Sequence, residues 1–145
     1  MRGYMGIGVY CPKTEENIGT LWRSAYLFGA SFIFTIGRRY KKQPSDTVKA
    51  HDQIPLWNFQ SYEEFKEKLP YGARLVCVEL AENSKPLPNF AHPKTAVYLL
   101  GAEDHGIPKA ITDKELTVQI PAQKTFSMNV ATAGSIVLYD RFIKA

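Results

Sequence analysis

Residues Thr95–Pro108 read TAVYLLGAEDHGIP. Thr95–Leu100 carries no charge, and at Gly101 it gives way to a polar loop with two glycines, closed by Pro108. An unbroken apolar run of this length, rather than an alternating one, predicts a strand buried on both faces. That is the mark of a parallel sheet covered by helices. The rest of the chain reads the same way. Met5–Tyr10 (MGIGVY), Ser31–Ile36 (SFIFTI), Arg74–Leu80 (RLVCVEL) and Leu116–Ile120 (LTVQI) are further strand candidates, the last stopped by Pro121. Between the first two lies Thr14–Gly29, where Ile18, Leu21, Trp22, Ala25 and Phe28 recur at helical steps. Thr14 is placed to cap this helix, Glu15 and Glu16 suit its positive end, and Gly29 stops it. Ser61–Leu69 (SYEEFKEKL) predicts a second helix with a capping box, Ser61 with Glu64. Residues 37–53 and Lys85–Phe90 read as loops, Pro108–Asp113 as one or two helical turns, and the last helix runs from about Met128 to the end. Strands alternating with helices imply an α/β fold: a mostly parallel sheet flanked by helices, in one domain over residues 1–145.

The 145 residues, 45% of them apolar, suffice for a full core. No apolar run reaches the roughly 18 residues that would span a membrane. The N-terminal apolar stretch is too short for a secretory signal. Cys11 and Cys77 form no CxxC pair, so neither a disulfide framework nor a metal site is expected, and a cytoplasmic location is. The formal charge of +4 points weakly to an anionic partner. Arg38, Arg39, Lys41 and Lys42 cluster around Tyr40, with Lys49 beyond. Alone, the cluster reads first as a solvated loop and otherwise as a phosphate contact with Tyr40 available for stacking; it does not decide by itself.

Ligands of open α/β sheets sit beyond the carboxyl ends of the strands, and three such ends are unusually polar. The first carries Asn17, Gly19 and Arg23, in ENIGTLWR; a local cap and a snorkelling arginine would also account for it. The second is LLGAEDHGIP, in which Glu103 can accept hydrogen bonds from a bound group or pin the loop's own amides; an ordinary turn would look similar. The third is IPAQKTFSMNV, where Ser127 is placed to cap the last helix and the Asn129 amide requires partners. Dinucleotide and nucleoside-triphosphate loops are excluded: Gly3, Gly6 and Gly8 lie before or inside the first strand, and GxxxxGK[ST] is missing, as is GxSxG.

In this order and spacing the three segments resemble the SpoU (TrmH-like) RNA ribose methyltransferases of the SPOUT class, over nearly the whole chain from Val9 to Arg141. Two departures are mild: Ala131 stands where members often have serine, and Tyr139-Asp140 where they often have Tyr-Glu. The extra N-terminal RNA-binding domain of many members is missing, so the chain looks like a minimal form.

The resemblance implies a C-terminal trefoil knot, S-adenosylmethionine as cofactor, no metal, and methyl transfer to a ribose 2′-hydroxyl of RNA, with transfer RNA favoured over ribosomal RNA. It implies a homodimer whose site draws on both subunits. Arg23, Asn17, Ser127 and Asn129 take the catalytic roles. Val78, Glu79, Leu80, Gly101, Glu103, Ile120, Ser127, Met128 and Asn129 hold the cofactor. RNA contacts fall to Arg23, Arg38, Arg39, Lys41 and Lys42. A non-catalytic RNA-binding module that keeps the fold is the alternative.

Overall fold

The computed structural model describes residues 3–37 and 53–145. The expected contacts of Arg38, Arg39, Lys41 and Lys42 lie outside them. The elements run β1 (Tyr4–Tyr10), α1 (Glu15–Leu27), β2 (Phe32–Ile36), β3 (Leu56–Phe59), α2 (Tyr62–Glu67), β4 (Arg74–Val78), β5 (Lys85–Pro86), a 3₁₀ turn (Leu87–Asn89), β6 (Thr95–Gly101), α3 (Lys109–Thr112), β7 (Leu116–Gln119) and α4 (Val130–Ile143). The strands form one seven-stranded sheet in the order β3-β2-β1-β6-β4-β7-β5, every pair parallel. That is the mostly parallel α/β architecture expected. No described helix is long and apolar enough to cross a membrane.

The period of two along each strand builds two cores. On one face Met5, Ile7 and Val9 of β1 and Ala96, Tyr98 and Leu100 of β6 meet Ile18, Leu21, Trp22 and Ala25 of α1 and Val130, Ala133, Val137 and Leu138 of α4. On the other, Val97 and Leu99 join Phe32, Phe34, Phe65, Leu75, Cys77 and Ile111. The Cys77 thiol, buried there, has its pKa pushed up to about 12, so it is a packing residue rather than a nucleophile.

Gly6 and Gly8 sit on that second face, in register beside Phe32 and Phe34. The aromatic rings occupy the space their side chains would need. A methyl group on Gly8 would stand 2.3 Å from the Phe34 carbonyl oxygen and 2.4 Å from its ring. Gly8→Ala is expected to lower the unfolding free energy by about 3 kcal/mol, the upper end of overpacking costs. A shifted urea midpoint would register it.

Helix starts follow the expected caps in two cases. Thr14 accepts from the Asn17 amide at 3.4 Å, and Ser61 accepts from the Glu64 amide at 3.1 Å. Glu64 reaches back to the Gln60 amide at 2.7 Å, one residue before the cap. Gly29, at φ 85°, ends α1 as expected.

Three expectations are corrected. β3 and β5 are strands within segments read as featureless or as loop. The strand opening at Arg74 ends at Val78 rather than Leu80. The last helix begins at Val130, and its cap is Asn129 rather than Ser127: Asn129 Oδ1 accepts from the Thr132 amide at 3.1 Å, while Ser127 is exposed.

The far end of α4 is held by a buried polar network that the sequence did not announce. His92 Nδ1 lies 2.7 Å from the Tyr98 hydroxyl and its Nε2 2.7 Å from Asp140. Arg141, only 6% exposed, donates to the Tyr98 oxygen and to the carbonyls of Pro93 and Lys94. Lys144 pairs with Asp140 and donates to the carbonyls of Leu87 and Phe90. A neutral imidazole satisfies both of its bonds, donating to Asp140 and accepting from Tyr98.

Burial, the largest cause, lowers the His92 pKa below 6.5; Asp140 opposes the shift, and the Lys144 and Arg141 charges add to it. The unfolded chain therefore takes up a proton that the folded chain rejects. This contribution is complete above about pH 6.5 and is lost as the pH falls through that value. The melting temperature is expected to drop between about pH 7.5 and about pH 5.5, and His92→Gln to remove that part of the slope.

Candidate active site

The sheet order places β6, β4 and β7 side by side, so their carboxyl ends open at one place. A cavity of about 710 Å³ lies there, within the range of small-molecule and cofactor sites. Val78, Glu79 and Leu80 line it from the end of β4, Gly101, Ala102 and Glu103 from β6, and Ile120, Ser127 and Met128 from the segment after β7. Its floor is apolar: Val78, Leu100, Ala102, Ile107 and Val130 are all buried.

The loop after β6 is tight because Gly106 donates to the Ala102 carbonyl at 2.8 Å. Gly106 adopts φ +62°, and a methyl there would meet the Glu79 carboxylate at 2.4 Å. Glu79 is what pins this loop, accepting from the Ile107 amide at 2.8 Å and the Leu80 amide at 3.1 Å. The pinning role foreseen as an option for Glu103 thus falls to Glu79. Outside the cavity, an ion pair of Lys13 with Asp104 at 3.0 Å joins the segment after β1 to the same loop.

Glu103 does something else. Its Oε1 accepts from Asn129 Nδ2 at 3.2 Å, and the same Nδ2 donates to Asn17 Oδ1 at 3.0 Å. Asn129 Oδ1 is meanwhile occupied by the Thr132 amide. One side-chain amide therefore ties together the first turn of α1, the loop after β6 and the start of α4, residues 112 and 26 positions apart in the chain. The requirement that this amide find partners is met in full.

A family model described as the SpoU rRNA Methylase family matches residues 5–139. The chain belongs to the SpoU family. Among its relatives is the tRNA (cytidine(34)-2'-O)-methyltransferase of Beijerinckia indica subsp. indica, 28% identical over 142 residues that cover 91% of this chain and 86% of that one. A solved structure described as "Structural insights into the 2-OH methylation of C/U34 on tRNA" superposes with a TM-score of 0.84 at 22% identity, covering 97% of this chain and 95% of that one. An AdoMet-bound rRNA methyltransferase from Sinorhizobium meliloti gives 0.83 at 26% identity, over 99% of this chain and 57% of that one.

The cavity thus gathers every residue expected at a SpoU cofactor site except Asn129, which is exposed and bonded to Asn17 and to the lining residue Glu103. Asn17 does not line the cavity, and neither does Arg23. Arg23 lies on the exposed side of α1, six residues and roughly 9 Å along the axis from Asn17. Within one chain the fold brings Asn17, Glu103 and Asn129 together, while Arg23 lines no part of the cavity. Sequence reasoning placed Glu79 at the cavity but missed its loop-pinning bonds. The only hint was an acid directly after a buried strand.

Proposed function

We propose that this SpoU protein transfers a methyl group from S-adenosylmethionine to a ribose 2′-hydroxyl of transfer RNA. The observation that carries the reading is the Asn17–Asn129–Glu103 junction at the rim of a cofactor-sized cavity. The residues suit the cofactor. An apolar floor accepts the adenosine, the Ser127 hydroxyl offers a polar contact, and the second oxygen of Glu103 presents a negative charge to a cationic ligand. When bound, the cofactor supplies an electrophilic methyl on a sulfonium centre.

The chain's own residues have two tasks. One is to position the hydroxyl, where restricting the nucleotide supplies most of the advantage. Asn17 Nδ2, left over once Oδ1 is engaged by Asn129, is placed to hold the nucleotide. The other is to favour negative charge on the ribose oxygen. Arg23 does this as a fixed cation that also grips a neighbouring phosphate; guanidinium stays protonated and is not the base.

Because Arg23 does not line the cavity of its own chain, the reading places the active unit in a homodimer, with Arg23 of the partner subunit completing each site. Exposed Leu27, Ile136, Tyr139, Phe142 and Ile143 on α1 and α4 offer an apolar surface for that pairing. The loops of the proposed trefoil knot are taken as residues 78–80, 101–103 and 120–129, and the setting as cytoplasmic.

Transfer RNA is preferred because the Beijerinckia relative named for it matches this chain nearly end to end. The description of the family and the Sinorhizobium neighbour keep ribosomal RNA as the second reading. Purified protein incubated with methyl-labelled cofactor and unmodified transfer RNA is expected to yield 2′-O-methylated nucleosides on digestion. Label confined to ribosomal RNA would select the second reading; label on a base would reject both.

A further inference from the structure

We infer that Phe126, with Lys124 two residues before it, forms a nucleobase-stacking subsite at the mouth of the cavity, specific for unpaired nucleotides of the RNA. The inference rests on the methyltransferase reading and adds to it the group that grips the base.

The cavity is graded from floor to rim. Val78, Leu100, Ala102 and Ile107 at the floor are each less than a tenth exposed, whereas Leu80 and Phe126 at the rim are 49% and 82% exposed. Both rim residues line the same space, Leu80 after β4 and Phe126 before α4. A single exposed phenylalanine on a surface requires no explanation. This one immediately precedes Ser127 and Met128, which also line the cavity, and it makes no ring contact among the described residues, although Met128 and Val130 just beyond turn inward.

The floor suits a small ligand that enters and is enclosed. A base carried on a polymer reaches only as far as the rim, where a flat aromatic face is what it requires. Lys124 is exposed, lines the cavity and has no acidic partner among the described residues, unlike Lys109, which pairs with Asp113. An aromatic face and an unpaired cation on one short loop are the components of single-stranded nucleic-acid binding: stacking on the base and charge on the phosphate. Stacking tolerates any base, so this subsite grips an unpaired nucleotide without choosing among the four.

The test has a binding arm and a kinetic arm. In the first, Phe126→Trp supplies a fluorophore at the rim. Its emission is expected to be quenched by a short cytidine-rich oligoribonucleotide and far less by a matched abasic ribose–phosphate oligomer; equal quenching by the two overturns the inference. In the second, Phe126→Ala is expected to raise the KM for transfer RNA roughly tenfold, with a much smaller change in kcat. Phe126→Leu should not restore it and Phe126→Tyr should. Lys124→Ala should lessen the dependence of binding on salt. Calorimetry should show unchanged affinity for S-adenosylmethionine, and sedimentation an unchanged oligomer. Loss of cofactor affinity would assign the ring to the cofactor, and a changed oligomer would assign it to a subunit contact; either result removes the subsite. If wild-type protein methylates no RNA, the functional reading fails, while the comparison of base-bearing and abasic oligomers still decides on Phe126.

Discussion

Arg23→Ala is expected to lower kcat for RNA methylation by about 10²–10³-fold while leaving cofactor affinity and melting temperature nearly unchanged. The size follows from the role: a preorganised cation opposite an oxygen gaining negative charge acts in the transition state and little in the ground state. The small effect on folding follows from place, since Arg23 stands on the exposed side of α1 while Ile18, Leu21, Trp22 and Ala25 carry the packing. Arg23→Lys is expected to recover only part of the rate, because an ammonium offers no planar fork to a phosphate. Steady-state kinetics with cofactor calorimetry separates these outcomes from simple misfolding.

The same residue tests the dimer. Asn129 is bonded to Glu103, a lining residue of its own chain's cavity, and Arg23 is proposed to serve the partner's. Mixing Arg23→Ala protomers with Asn129→Asp protomers should then regenerate active hybrids, since one of the two sites receives an intact copy of each residue. If both residues serve the same chain, every site in the hybrid carries a lesion and mixing restores nothing.

Asn129→Asp is the second large effect expected. Aspartate is as good a helix cap as asparagine, so the bond from the Thr132 amide survives. The two donated bonds do not: a carboxylate would face Glu103 where the amide nitrogen now donates at 3.2 Å, and Asn17 would lose its donor at 3.0 Å. Repulsion between the two carboxylates pushes apart the loops that the amide joins. Cofactor affinity and kcat are expected to fall together, each by at least about tenfold, with a loss of stability near 1 kcal/mol because the junction is exposed. Calorimetry and urea unfolding read the two separately. Asn129→Asp with full activity would show that the junction is a surface cluster without function.

These predictions lean on contacts that the sequence displayed unevenly. The long buried strands were legible because a run such as TAVYLL has one stable placement, between two layers of helix. Thr14 and Ser61 were legible because a cap acts on amides two or three residues away. β3 was not: Leu56–Phe59 is four residues long, follows a proline and is only partly buried. β5 is two residues, one of them proline, and exists only because β7 lies beside it. The choice between Ser127 and Asn129 as cap was equally hidden. Both are good caps, and Asn129 is held in place by Asn17 and Glu103, partners that a local pattern does not contain. His92 and Arg141 form a buried network from positions 48 residues or so apart, and alone each reads as an ordinary surface residue. Pattern recovered the three motifs, two of which line the cavity; the bonds within the site, and the absence of Arg23 from the lining, required the fold.

The central claim is that a methyl donor's sulfur sits in the cavity between the Gly101–Glu103 and Ser127–Met128 segments, with an Arg23 guanidinium brought to it. A crystal structure of the protein grown with S-adenosylhomocysteine tests this most directly. The thioether sulfur is expected in that cavity, with a guanidinium from Arg23 of the partner subunit facing it across a shared opening. A ligand bound elsewhere, or an Arg23 pointing away from the sulfur in both subunits, would contradict it.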